Sequence, residues 1–408
     1  MPLDSSRIFN PSRLNASQWV EVAKLWGAQE ICLTVKHVDG FTLWPSKATP
    51  YSVASSPWRE GKGDVVREFV DACRVGGIEP CFYFIPGFSI FNFNMTDQEY
   101  LKVHMDMLTE LLTQYGPISR LWFDNYALDG ARYQPPGHMH SFDCTNNIIG
   151  PSCPSWLAIN KLVEQLSPNT VVVPGPDGCL VNAESEGGTY PLYYTQQQPS
   201  GYWCSLVANA SKYFVAPESD FTVLWPGNNW FWAEKDPIMS VADLWSQYSL
   251  KAGQGASLIL NIPPDNTGLV PENIVGLLRS FSQVWHDTYD FPIGALRTPA
   301  RAPCSNLSVT ISLDPSRSFD QFVLREDLSQ GQIIAAYSIE LHQVNTSVTT
   351  WQKLSVMHGA SVGRRLVDWG LGKLSGYDAA RFNCTWAFSS DTDAVLLEFA
   401  AYLGASRS

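Results

Sequence analysis

Ser17-Gln18-Trp19-Val20-Glu21-Val22-Ala23-Lys24-Leu25-Trp26 is followed, three residues later, by Glu30-Ile31-Cys32-Leu33-Thr34-Val35, and the change of period between these stretches decides the fold. The first has a capping serine and apolar residues at helical spacing. The second is a short apolar run of buried-strand length, ending at Lys36-His37-Val38-Asp39-Gly40. The alternation then repeats. Residues 64–75 are amphipathic, with Val65, Val66, Phe69, Val70 and Cys73 on one face, and 81–85 form a second buried strand. A long amphipathic helix over 99–115 stops at Gly116-Pro117, and a third strand over 120–123 runs into Asp124.

Further on, 156–166 reads as helix and 170–173 as a strand that breaks at Pro174-Gly175-Pro176-Asp177. Strands over 221–225 and 257–262 flank a helix over 240–252, and a last helix covers 272–285. Short apolar strands alternating with amphipathic helices predict βα units around a parallel sheet. Polar and aromatic residues gather at the C-terminal strand ends, the face that carries the active site in a (β/α) barrel. A doubly wound open sheet is the alternative; no Gly-rich phosphate loop follows the first strand, which weakens a nucleotide-binding version of it.

After about residue 290 the texture changes. Residues 291–304 are rich in Pro, Ala and Arg and read as a linker. Strand-like runs over 306–313, 321–325, 333–341, 351–356 and 394–399, separated by turns, predict a β-sandwich over 305–408. The chain thus divides into a catalytic domain (1–290), a linker and a sandwich without a catalytic constellation of its own.

Composition narrows the function. The net charge is −12, so no basic stripe exists to neutralise phosphates and a nucleic-acid partner is not expected. No apolar stretch reaches 18 residues, so no membrane span is expected. Fifteen tryptophans provide flat faces for pyranose C–H surfaces, although core packing accounts for most of them. Sequons begin at Asn15, Asn94, Asn209, Asn306, Asn345 and Asn383 and lean toward a secreted glycoprotein. Against this, residues 1–7 hold no signal-peptide core. The nine cysteines contain no C-x-x-C pair, and Cys144 and Cys153 flank a loop that a local disulfide could close.

A glycosidase of the usual kind needs two carboxyl groups flanking one bond. Asp124, at a strand end after Leu121-Trp122-Phe123, is the best nucleophile candidate, because a carboxylate is costly to bury there without a purpose. An Asp that merely caps the following loop is the bland alternative.

Several consecutive motifs resemble those of the α-L-fucosidases, glycoside hydrolase family 29. Phe9-Asn10-Pro11, Gln18-Trp19 and the run Leu33-Thr34-Val35-Lys36-His37-Val38-Asp39-Gly40-Phe41-Thr42-Leu43-Trp44-Pro45-Ser46 are similar to that family's signature. Ser56-Pro57-Trp58 with Gly63-Asp64-Val65-Val66, then Tyr115-Gly116-Pro117-Ile118 with Leu121-Trp122-Phe123-Asp124, continue it in order. Leu260-Asn261-Ile262-Pro263-Pro264-Asp265 and, in the sandwich, Phe319-Asp320, Glu326 and Gly331-Gln332 complete it.

The resemblance implies a retaining α-L-fucosidase acting on fucosylated oligosaccharides or glycoprotein glycans, with Asp124 as nucleophile and no metal or cofactor. The acid/base is Glu186 or Glu184: ungapped alignment on Gly175-Pro176-Asp177 favours Glu184, and alignment on Glu186-Gly187-Gly188 favours Glu186, which we prefer because substrate can approach closely beside glycine. His37 matches a histidine that hydrogen-bonds fucose hydroxyls; the adjacent family histidine is Val38 here. Trp44 and Trp122 match site-lining aromatics, Tyr83 a fucose-contacting tyrosine, and Trp230 a residue that packs on the fucose methyl. The resemblance also implies a strand with a His-Trp-Gly or His-Phe-Gly motif ahead of Phe9, for which this sequence has no room. The expected fold is therefore a TIM-like (β/α) barrel lacking its first strand, followed by the sandwich. A truncated gene model or an internal start would explain the gap, and weakened catalysis or a non-catalytic fucose-binding derivative is the alternative function.

Overall fold

The computed structural model describes residues 6–85, 97–123, 154–173, 218–225, 229–343, 351–355 and 362–404. The chain forms two compact units, Met1–Leu180 with Phe231–Lys235 and Pro263–Val275, and Val181–Trp230 with Asp236–Ile262 and Gly276–Ser408.

The first unit is built on a parallel sheet of β1 (Glu30–Lys36), β2 (Glu79–Phe84), β3 (Arg120–Phe123) and β4 (Val171–Val173), in that spatial order. Helices α1 (Ala16–Leu25), α2 (Val65–Gly76), α3 (Asp97–Gln114) and α4 (Pro154–Leu166) precede or separate these strands in the chain. The order never reverses, so these four strands contain no switch point of the doubly wound kind. The local chemistry explains the helices. Helix α1 is capped by Asn15, whose side chain accepts from the Ser17 and Gln18 amides, rather than by the expected Ser17. Asp64 caps α2 through the Arg67 amide, and Gly77 ends it at φ +66°, a left-handed position that glycine adopts without steric cost. The predicted apolar face of α2 is fully buried: Val65, Val66, Phe69, Val70 and Cys73.

In the second unit β5 (Glu218–Thr222) pairs in parallel with β6 (Ser257–Asn261). The apolar run read as strand over 221–225 outlasts β5. Thr222 Oγ1 accepts from the Leu224 amide, and the Val223 carbonyl accepts from the Met239 and Trp225 amides, so the chain turns while Val223 and Leu224 stay buried. Helix α5 (Val241–Lys251) opens with a reciprocal Ser240–Asp243 capping box, and α6 (Glu272–Tyr289) follows β6.

The C-terminal part is antiparallel. Among the described residues it holds nine strands: β7 (Gly294–Ala295), β8 (Ala300–Ala302), β9 (Ser308–Ser312), β10 (Gln321–Glu326), β11 (Ile334–Gln343), β12 (Trp351–Lys353), β13 (Leu366–Asp368), β14 (Tyr377–Ala387) and β15 (Ala394–Tyr402). One sheet runs β13-β10-β15-β7, with β8 also on β15; the other runs β12-β11-β14-β9. Alternate residues of both sheets, among them Val309, Phe322, Ile339, Phe382, Leu396 and Phe399, share one core, as two stacked sheets require. The Cys304–Cys384 disulfide borders that core. The stretch 291–304 contains β7 and β8, both hydrogen-bonded to β15.

Candidate active site

The aromatic residues at the C-terminal ends of the first three strands form a row. Tyr83 on β2 is paired with Trp122 on β3, and their rings stack with centroids 5.3 Å apart and an interplanar angle of 11°. The His37 ring, one residue beyond β1, lies 5.9 Å from Tyr83 at 5°. Side chains on adjacent strands stand one strand spacing apart, so parallel rings at this separation follow from register alone. All three are half-buried.

A local irregularity puts His37 into the row. Thr34 pairs with Tyr83, but the next pair is Lys36 with Phe84, so β1 advances two residues while β2 advances one. Val35 is the extra residue of a bulge, a device that re-aims the side chains after it. Without it, Lys36 would share the face of Thr34 and Tyr83, and His37 would point to the other side. With it, Lys36 passes to the Phe84 face, where both are buried, and His37 returns to the face of Tyr83.

Beneath the row the same face is closed by covalent and ionic links. Cys32 and Cys81, a directly opposed pair two residues below Thr34 and Tyr83, form a disulfide. One layer lower, Arg120 Nε donates to Glu30 Oε1 at 2.9 Å and Ser119 Oγ donates to Glu30 Oε2 at 2.6 Å, so Glu30 on β1 is tied across to the start of β3.

The structure does not bring every expected residue into the row. Trp44 is fully buried, its indole N–H donating to Glu110 Oε2 on α3 at 2.8 Å; a second oxygen of Glu110 accepts the Lys47 amide. Trp230 is half-buried, and its carbonyl accepts from Asn261 Nδ2 at 2.9 Å; the same amide donates to Thr222 Oγ1, whose hydroxyl donates to the Asn229 carbonyl. The Asn of the Leu260-Asn261-Ile262 motif therefore ties the Trp230 main chain to Thr222. The ring that meets the row is Phe231, which sequence reasoning missed: it is 61% exposed and stands edge-on to His37 with centroids 5.0 Å apart. It directly follows Trp230 in the sequence Trp230-Phe231-Trp232, and periodicity cannot choose among three consecutive aromatics in a loop. Asp124, Glu184 and Glu186 lie outside the described residues, as do Cys144 and Cys153.

Half-buried stacked rings offer flat apolar faces, and the imidazole adds hydrogen-bonding nitrogens. Such a surface suits a small ligand with both C–H faces and hydroxyls. Among the described residues, no group of three or more His, Cys, Asp or Glu is arranged to hold a metal ion.

Comparison with known proteins bears on the chemistry. The α-L-fucosidase family model matches residues 4–289. The chain is 29% identical to Alpha-L-fucosidase 1 of Arabidopsis thaliana over 405 aligned residues, covering 88% of this chain and 73% of that protein. A candidate α-L-fucosidase from Bacteroides thetaiotaomicron superposes with a TM-score of 0.75 at 25% identity, over 97% of this chain and 88% of that one. A glycoside hydrolase 29 family member from a rumen bacterium superposes with a TM-score of 0.78 at 24% identity, over 98% of this chain and 71% of that one, which speaks for the fold alone. The family match covers most of the chain, including every strand from β1 to β6, and the chain belongs to the α-L-fucosidase family of glycoside hydrolases.

Proposed function

We propose that this chain releases terminal α-L-fucose from fucosylated oligosaccharides or glycoprotein glycans with retention of configuration. In this reading Asp124 attacks the anomeric carbon while Glu186 protonates the departing glycosidic oxygen, giving a glycosyl-enzyme. Glu186, now a carboxylate, then takes a proton from water, whose oxygen displaces Asp124 and frees fucose. In the sequence, position 124 directly follows β3. His37 hydrogen-bonds sugar hydroxyls, Tyr83 and Trp122 line the ring, and Trp230 packs near the methyl group.

The observation that carries the reading is the His37–Tyr83–Trp122 row at the C-terminal ends of parallel strands, in a chain of this family. The finer fold belongs to the same proposal: a TIM-like (β/α) barrel within residues 1–290 and a sandwich from 305. The chain-order parallel sheet supports it. Secretion is likewise proposed, supported by the two disulfides at Cys32–Cys81 and Cys304–Cys384, because such bonds persist in oxidising compartments.

The test is release of 4-nitrophenol from 4-nitrophenyl α-L-fucoside by the parent and by Asp124→Gly, Glu186→Ala and Glu184→Ala. The expected result is loss of activity in Asp124→Gly, loss in Glu186→Ala with rescue by azide, and near-parent activity in Glu184→Ala. Full activity in Asp124→Gly would overturn the mechanism, and azide rescue of Glu184→Ala instead would exchange the two glutamates.

A further inference from the structure

The residue before His37 is a lysine removed from water. Lys36 is 1% exposed. Its ammonium donates to the Ile85 carbonyl at 2.6 Å and lies 5.1 Å from the centroid of the Phe84 ring. The Ile85 amide donates back to the Lys36 carbonyl at 3.2 Å. One residue at the end of β1 therefore grips one residue beyond β2 twice, once through its main chain and once through its side chain. This happens at the point where the bulge changes the register.

Burying an ammonium costs free energy that a methionine of similar length would not incur. Burial pushes the Lys36 ammonium down to about 7, with the charge of Asp39 opposing that shift in part. On the helix side, His104 of α3 is also fully buried, its Nδ1 within 2.9 Å of the Tyr100 carbonyl; burial and the charge of Lys36 hold its pKa well below the usual range. No gain in core packing explains a lysine here. Its hydrogen bond to Ile85 does something an apolar side chain cannot: it fixes where the strand that carries His37 stands against the strand that carries Tyr83.

We propose that Lys36 is a positioning residue, whose bond to Ile85 locks the extra residue of β1 in place and so aims the His37 ring along Tyr83 and toward the sugar. The proposal rests on the reading of His37 as a sugar contact. Lys36 touches neither substrate nor reacting atoms; it acts through His37. Its effect must therefore vanish when the His37 ring is absent.

That requirement defines the experiment, a double-mutant cycle of Lys36→Met and His37→Ala in the full chain. It is read as kcat and KM on 4-nitrophenyl α-L-fucoside, with thermal melting alongside. Lys36→Met keeps the length and apolar body but removes the donor. The expected result is a cooperatively melting protein whose kcat/KM falls about tenfold, mostly through KM, as loss of a hydrogen bond from a charged group implies. In the His37→Ala background the same change is expected to cost less than about twofold. Equal losses in both backgrounds would mean that Lys36 merely holds the fold, and would overturn the proposal. If Lys36→Met does not fold, the cycle is run with Lys36→Gln, for which equal losses overturn it in the same way. If the parent chain does not hydrolyse the aryl fucoside, the fucosidase reading fails separately. The cycle is then read on the near-ultraviolet circular dichroism of the stacked Tyr83–Trp122 pair. Lys36→Met is expected to change that spectrum in the parent but not in the His37→Ala background, and an unchanged spectrum in both overturns the proposal.

Discussion

Replacing both Cys32 and Cys81 with alanine tests the layer beneath the ring row. The double replacement leaves neither half of this pair as an unpaired thiol. The bond closes a loop with a sequence separation of 49 residues. Restricting an unfolded loop of that size is worth about 4 kcal/mol by chain entropy. The compact unit that holds this bond has about 200 residues, and in a cooperative unit of that size each kcal/mol moves the melting temperature by about 2–4 °C, so the variant's unit is expected to melt some 8–16 °C below the parent's. The functional consequence follows from register. Cys81 lies two residues before Tyr83 on the same side of β2, and Cys32 two before Thr34 on β1, so the bond sets the spacing on which the His37–Tyr83 stack depends. Well below its melting temperature the variant is expected to lose kcat/KM on the aryl fucoside, with KM rising more than kcat falls. The assay is urea unfolding followed by circular dichroism, with kinetics at 20 °C, on the parent, on the variant and on the parent with dithiothreitol. A variant within about 1 kcal/mol of the parent would refute the reasoning, because a cross-link of this loop length cannot be energetically silent. So would a denatured, unreduced parent in which mass spectrometry finds both cysteines as thiols.

Three further outcomes are expected. Phe231→Ala should raise KM severalfold while changing stability by less than about 0.5 kcal/mol, because the ring is 61% exposed and touches His37 edge-on; unchanged KM with a lowered melting temperature would contradict this. Burial pushes the Glu326 carboxyl from its ordinary 4.5 up to about 7, against the backbone N–H bonds it accepts from Ile333, Ile334 and Gly363. A raised folded-state value means that its stabilisation is full below about pH 4.5 and is lost as pH rises through about 7, so Glu326→Gln should flatten that limb of the melting-temperature curve, and a limb of equal slope in both proteins counts against it. Arg365 donates to the Tyr248 hydroxyl at 2.8 Å and lies 5.0 Å from the Tyr289 ring, so Arg365→Leu should cost about 2–3 kcal/mol in urea unfolding without altering kcat per folded molecule; a loss below about 0.5 kcal/mol would show that the contact is spectator packing.

The sequence was most legible where one physical signal dominated. The apolar face of α2 shows full helical period with caps at both ends, and every residue assigned to it is buried. Strand β3 was read at its observed bounds, since Gly116-Pro117 before it and a carboxylate after it leave no latitude. Strand β14, the longest in the molecule's described residues, was not read at all. Its inward positions Ala380, Phe382 and Cys384 alternate correctly, but two of the three are small, and Arg381 and Asn383 between them resemble a polar loop. Those two polar groups are satisfied on the outer face by Glu340 of the neighbouring β11, a partner separated by some forty residues that no local pattern reveals. Trp44 shows the opposite limit. Motif similarity placed it among site-lining aromatics, whereas Glu110 on a different helix holds its indole in the interior.

The bulge in β1 shows why the chemistry was harder to read than the fold. A strand has period two, so one extra residue moves everything after it to the other face. Counted regularly from Cys32, which faces the row side, His37 falls on the helix side and Lys36 falls among the rings. The structure has the reverse, at the cost of burying a lysine. Below the bulge, the row face is tied by the Glu30–Arg120 ion pair and the Cys32–Cys81 bond, neither of which tolerates a shift of register. Above it, among the described residues, stand the half-buried rings of His37, Tyr83 and Trp122. The rigid layers therefore hold the register fixed up to Thr34, and the bulge spends that rigidity in a single step to turn His37 toward the open end. A regular strand would be more stable and would turn its histidine away from Tyr83, the kind of conflict between local regularity and function that the proposed sugar contact of His37 entails.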